Sequence, residues 1–170
     1  MGDMGNDALV TIDGTDMKVQ MHYDKRYFSH KFCSRGLRYE VGVCILSGNI
    51  VWINGPFRCG MTDIDISRQC ILGSLSLNEM VEADNGYDGE EWHIRTPSNH
   101  RSKNEKKMKR RAARRHETMN ERLKNFNVLS DDFRLPLERH SSCFRAVAVI
   151  TQLNIEGGEP LFEVEYHDDL

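Results

Sequence analysis

No apolar run in this sequence is longer than five residues, Ala146 to Ile150. A membrane-spanning helix takes about 20 apolar residues, and a secretory signal carries a longer apolar core than this. Neither is expected, and the chain is read as nuclear, or cytoplasmic if it is not imported. The five cysteines, at 33, 44, 59, 70 and 143, are never closer than eleven residues. That spacing excludes the close pairs of structural zinc sites, and the odd number argues for reduced thiols over a disulfide framework. Neither GxxxxGK[ST] nor GxGxxG occurs, so no glycine-rich nucleotide cradle is expected. Proline is scarce at four residues, and the remaining composition (29% charged, 8% aromatic, 170 residues) suits one compact domain.

What the chain does have is one concentrated block of charge. Lys103 to Lys124, KNEKKMKRRAARRHETMNERLK, holds ten of the 23 basic residues and only three glutamates, in a chain whose net charge is −3. A mildly acidic protein with one strongly basic helix calls for a polyanionic partner. On a helical wheel Met108, Ala112, Met119, Leu123 and Phe126 form its apolar stripe. Glu117 falls nearly opposite, beside Ala113, Asn120 and Lys124. A helix packed through that stripe alone would turn Glu117 outward, so the helix is expected to be covered on more than one side.

In chain order, residues 1–7 (MGDMGND) read as a disordered lead-in and residues 8–170 as a single domain. Ala8 to Ile12 is a short β-rich run that is expected to end in the Asp13-Gly14-Thr15-Asp16 turn. Leu37, Tyr39, Val41, Val43 and Ile45 alternate with polar or small residues, and Asn49 to Asn54 follows a Ser47-Gly48 turn. Together these predict an antiparallel hairpin that closes at Gly55-Pro56. Thr62 and Asp63 stand where a helix cap would, with Asp65 three residues after Thr62 as in a capping box, and the helix is read to about Leu77. Met80 to Ala83 is a further short strand, delivering Asp84 to an Asn85-Gly86 turn. Asp88 to Ser102 reads as a polar connection. A helix over Arg139 to Leu153, with Phe144, Val147, Ala148 and Thr151 on one side, is stopped by Gly157-Gly158, and Leu161 to Tyr166 alternates like an edge strand.

Asp13, Asp84 and Glu117 thus come from two strands and one helix. Hydrolysis or transfer of a phosphodiester by two divalent ions, roughly 3.5 to 4 Å apart, needs such a set of hard carboxylate oxygens with positions left open. Flanking positive charge would hold the substrate through sequence-independent phosphate contacts. Each signal alone has a plainer reading: an Asp before Gly is most often a turn residue, and a Glu in a basic helix an ion-pair partner on a solvated face.

The strings IDGTD, GLRYEVGVCILSGNIVWINGPF, TDIDISR, EADNGY, RRHETMNERLKNF and HSSCFRAVAVITQLNIEGGEPLF, in this order, resemble the catalytic domain of PIF/Harbinger-type DDE transposases and transposon-derived endonucleases. The resemblance runs from Ala8 to about Tyr166. It implies an RNase H-like α/β fold, with a mixed sheet of about five strands and flanking helices. It further implies catalytic and metal-binding roles for Asp13, Asp84 and Glu117, with two Mg²⁺ or Mn²⁺ ions as cofactor. Asp63 matches a recurrent aspartate near the site, against the plainer reading of an ordinary helix N-cap. His116 is an accessory candidate that would orient Glu117 or reach phosphate, against a packing role. Lys107, Arg110, Arg111, Arg114, Arg115 and Lys124 are the expected DNA contacts, Lys124 matching a family lysine. The chain departs from the pattern at Ala113, where the family usually has Arg, and around Arg58 and Met61. It begins twelve residues before the first acid, so the upstream DNA-binding region is expected to be missing, whether from a truncated or decayed copy or with a separate DNA-binding protein to supply it.

Two functions follow as expectations. One is metal-dependent DNA cleavage and strand transfer; the other is a catalytically inactive nucleic-acid-binding or assembly module keeping the fold. KKMKRR also reads as a nuclear import signal. DNA is the expected partner, a membrane is not, and oligomerisation stays open.

Overall fold

The computed structural model describes residues 8–99 and 103–164, with side chains at 8–98 and 109–164. The lead-in at 1–7 and the last two residues of the expected edge strand lie outside them.

The protein is built on strand β3 (Ser34–Cys44), which pairs antiparallel with β1 (Val10–Lys18) on one side and with β4 (Ile50–Arg58) on the other. A two-residue strand, β2 (Phe28–Ser29), joins the start of β3. On its far side β1 pairs in parallel with β5 (Val81–Glu82), and β5 in parallel with β6 (Ile94–Arg95). The result is a mixed sheet of six strands, β4 and β2 both edging β3. Helices flank it: α1 (Asp63–Gln69), α2 (Lys103–Lys124), α3 (Asn127–Ser130) and α4 (His140–Glu156).

Alternation decides the two faces. Leu37, Tyr39, Val41 and Val43, with Met17 of β1, face one core that α2 closes with Met119 and Leu123 and α4 with Phe144, Val147 and Ala148. Tyr39 stacks on Phe144 at 3.8 Å between ring centroids and shares a 2.9 Å hydrogen bond with His140 Nδ1. The opposite face carries Ile12, Val81 and Ala83 against Ile71 and Tyr87, on the side of α1.

Several elements differ from expectation, each for a local reason. The first strand does not stop at Asp13: every residue from Val10 to Lys18 is in register with β3, Asp13 opposite Val41 and Gly14 opposite Glu40. The hairpin likewise passes through Gly55-Pro56, because Arg38 pairs with Phe57 and Glu40 with Asn54. Gly55 and Pro56 therefore form a bulge opposite Tyr39, where the missing proline N–H breaks no ladder bond. Helix α1 starts as expected, Thr62 Oγ1 accepting from Asp65 N at 3.3 Å, but ends at Gln69. Cys70 leaves the helical region and a 3-10 turn (Ile71–Ser74) follows, which places Ile71 in the core. Strand β6 lies inside the segment read as a connection. Residues 161–164 form no strand; Leu161 and Val164 are buried, and Arg111 and Arg115 of α2 donate to the carbonyls of Glu163 and Phe162.

Candidate active site

Parallel pairing is what sets two acids side by side. Thr11 of β1 is in register with Glu82 of β5, and Asp13 and Asp84 each stand two residues further along the same direction. They share the sheet face that α2 crosses: Thr11 Oγ1 and His116 Nδ1 are 2.9 Å apart, and Asn120 Nδ2 donates to Asp13 Oδ2 at 2.9 Å. Lys109 Nζ meets Glu82 Oε2 at 2.9 Å and donates to Arg95 O at 2.8 Å.

Helix α2 is held around more than half its circumference. Ala112, Met119 and Leu123 face the core. On one flank Arg111 donates to Glu163 O at 2.9 Å and Arg122 to Glu159 O and Pro160 O, while Arg115 donates to Cys44 O at 2.8 Å and to Ile45 O. On the other flank lie Asn120, Lys124 and Glu117. Asn120 is fixed by Asp13, and Glu117, a turn earlier, lines the same cavity as Asp13 and Asp84. Coverage on two flanks thus answers the wheel argument.

This cavity, about 350 Å³, lies between β1, β5 and α2, with Ile12, Ala83, Pro97 and Ala113 as apolar wall. Glu117 is exposed at its rim. Asp13 is half-buried, and its carboxyl is pushed from 3.8 up to about 6, chiefly by burial and further by the charges of Asp84 and Asp63, against the opposing charge of Lys31.

Asp63 reaches the site from the other face. Arg38 Nη1 donates to its Oδ1 at 2.8 Å, while the Nε of the same guanidinium donates to Asp16 Oδ1 at 2.6 Å. A Cβ on Gly14 would lie 2.5 Å from Asp63 Oδ1, and one on Gly86 would lie 2.9 Å from both Asp63 Oδ2 and Asp84 Oδ1. Two glycines thus leave the space in which the Asp63 carboxylate sits beside Asp84. Burial holds the Asp63 carboxyl above the usual range although Arg38 opposes it. Beneath this lies Glu40, fully buried, whose Oε1 accepts from Ser67 of α1 at 2.8 Å and whose Oε2 accepts from Trp52 of β4 at 2.9 Å. A buried carboxylate with both oxygens bonded fixes α1, and so Asp63, on the sheet.

Two expected roles are corrected. Arg115, expected on DNA, is 2% exposed, its guanidinium turned to the carbonyls of Cys44 and Ile45. His116, expected to orient Glu117 or reach phosphate, is 3% exposed and bonded to Thr11; burial, then the charge of Arg115, lowers it to about 3. A neutral packed imidazole brings no charge to a phosphate. Arg111 is half-buried and partly spent on Glu163 O, whereas Arg110 and Arg114 are exposed. The Lys107 side chain lies outside the described residues. Lys124 is half-buried, its amine held low by burial and then by the charge of Lys31.

Sequence reasoning missed Arg38, Lys31 and the role of Asn120. Asn120 had a signal, since positions 113, 117, 120 and 124 recur on one helix face. Arg38 and Lys31 had none, because only the β1–β3 pairing and the β2–β3 turn bring them to Asp13 and Asp63.

An α/β protein with antiparallel strands β4, β3 and β1 continuing into parallel β5 and β6, and with acids on its two central parallel strands beside a long helix, has the RNase H-like fold of DDE nucleases. The sequence model of the DDE superfamily endonuclease family matches residues 12–153, and the chain belongs to that family. No curated protein and no solved structure matches the chain.

Endonucleases of this superfamily generally use divalent metals. The donor chemistry fits: Asp13, Asp84, Asp63 and Glu117 offer hard oxygens, and the Asp13 carboxyl, raised by burial and then by Asp84 and Asp63, is one whose ionised form a cation would stabilise. As they stand, no three such side chains converge tightly enough to hold an ion among the described residues.

Proposed function

We propose that the protein is a metal-dependent DNA endonuclease of the PIF/Harbinger transposase type, acting in the nucleus and cleaving phosphodiester bonds at the cavity between β1, β5 and α2. The observation that carries this reading is the lining of one cavity by Asp13, Asp84 and Glu117, with Arg110 at the same wall.

Asp13 and Asp84 would hold two Mg²⁺ or Mn²⁺ ions, with Glu117 closing the set from α2. Bound there, such ions activate the attacking oxygen and stabilise the leaving one. The chain's own residues do the rest. Asn120 orients the Asp13 carboxylate. Arg38 and Glu40 fix Asp63 and helix α1. Arg110, Arg114 and Lys124 face the polyanion, the two exposed arginines suiting phosphate geometry. Ionised Asp13 is required to bind a cation, so activity should rise with pH through about 6.

Supercoiled DNA incubated with Mn²⁺ should be nicked, and Asp84→Asn should abolish nicking. Equal nicking by both, or by neither, would sink the catalytic reading. One alternative is an inactive module that binds DNA without turnover, for which the exposed Arg110 and Arg114 of α2 would serve without the acids. Calorimetric titration with Mn²⁺ separates the two: two bound ions lost in Asp13→Asn belong to the enzyme, and salt-sensitive DNA binding without ions to the module.

A further inference from the structure

Lys31 lies on the turn between β2 and β3, outside every motif that suggested the function. Its backbone N donates to Ser29 Oγ at 3.2 Å, and Ser29 Oγ donates to Asp16 Oδ2 at 2.5 Å, the carboxylate that Arg38 also holds. The turn is therefore tied to the same network that fixes Asp63. From it the Lys31 side chain reaches across β1, and Nζ donates to Gly14 O at 2.9 Å, at the residue after Asp13.

An ammonium has three donors. Among the described residues Gly14 O is the one acceptor of Lys31 Nζ, and no carboxylate lies within 4.0 Å of it, so two N–H bonds stay available. On the other side of Asp13, α2 places Asn120 on the carboxylate and Lys124 one turn further on the same face. Two lysines from separate elements thus flank one aspartate without forming an ion pair to it. Burial lowers the Lys124 amine most, then the charge of Lys31, against the charges of Asp16 and Asp13.

We propose that Lys31 and Lys124 together bind one substrate phosphate beside Asp13, with Lys31 as a substrate contact supplied by the β2–β3 turn. This rests on the nuclease reading for the identity of the substrate, a nucleic-acid backbone. The lysines grip non-bridging oxygens from opposite sides of β1, so the DNA strand crosses between the turn and α2. Substrate is then held on both sides of the acids, and α2 is not its whole platform.

The experiment is a salt titration of binding to a short duplex oligonucleotide in chelator, for wild type, Lys31→Ala, Lys31→Arg, Lys124→Ala and the double alanine variant. Loss of one phosphate contact should flatten the plot of log affinity against log salt by about 0.9. Lys31→Ala should weaken binding at fixed salt with unchanged melting behaviour while keeping most of the slope, because Lys124 still neutralises the phosphate, and Lys31→Arg should restore wild-type affinity. Lys124→Ala should behave alike, and the double variant should show the full slope change, more than the two single changes together, because one phosphate is shared. Unchanged affinity in Lys31→Ala overturns the proposal, and so does a slope change in the double variant equal to the sum of the single ones. Wild-type protein that binds but does not nick with Mn²⁺ removes the catalytic reading and leaves this contact standing. Wild-type protein that binds no DNA removes both.

Discussion

Replacing Asp13 by Asn should make the protein more stable while it destroys the site. The ionised carboxylate is disfavoured where it sits, by burial and by Asp84 and Asp63, so its folded-state value lies near 6 against 3.8. A carboxyl raised on folding leaves stability intact below about 3.8, and that stability is lost as pH rises through about 6. The gap corresponds to about 2–3 kcal/mol, allowing for the screening of a half-buried group. The amide that replaces it keeps an acceptor for Asn120 and carries no charge. Urea unfolding in chelator should show the two proteins equal near pH 3.5, and Asp13→Asn ahead by about 2–3 kcal/mol at pH 8, or roughly 5–10 °C in Tm. His116 and His140 are held neutral by burial and lose stability as pH falls below their usual range, in both proteins alike. Taking the difference removes them. Adding Mn²⁺ should then raise wild type and leave Asp13→Asn unmoved. A difference that is flat from pH 4 to 8, or an Asp13→Asn protein less stable at pH 8, refutes a raised Asp13 carboxyl.

The arginines of α2 should separate into two kinds. Arg115→Met should cost about 1–3 kcal/mol in unfolding experiments, since the buried Ile45 carbonyl loses its arginine donor while that of Cys44 keeps only the Gly48 N–H, and should leave the salt slope of DNA binding unchanged; Arg110→Glu with Arg114→Glu should do the reverse. Gly14→Ala should keep the fold but drive Asp63 from its place, because the new methyl would lie 2.5 Å from Oδ1. Nicking should fall at least tenfold while DNA binding is retained, and an active Gly14→Ala would show that Asp63 has no part in the site.

Long periodic signals were legible in the sequence, and pairings were not. The alternation over Leu37 to Ile45 placed β3 correctly because one face is buried throughout, and α4 was equally clear through Phe144, Val147 and Thr151. Asp13 was legible as a carboxylate and misread as a strand end, since Gly14 looks like a turn until Asp63 is seen opposite it. Two-residue β6 has no period to detect; it exists because Val81 and Glu82 offer a parallel edge to Ile94 and Arg95. Glu117 was placed correctly on its helix, but its relation to the sheet depended on contacts on both flanks of α2. The buried Glu82 and Lys109 pair is invisible to any local rule, the two being distant in sequence and apposed only through β5 and α2.

The segment from Glu159 to Glu163 has carbonyls but no strand partner, and guanidinium groups of Arg111, Arg115 and Arg122 take the place of a ladder. Those contacts work as ballast: they hold cations of α2 inward and leave Arg110 and Arg114 facing out. A chain shortened before Gly157 would lose the buried Leu161 and Val164, and would leave Arg111 and Arg122 without these acceptors. Cations now paired with carbonyls would then add to the exposed charge of Arg110 and Arg114. The tail thereby sets the sidedness of the helix.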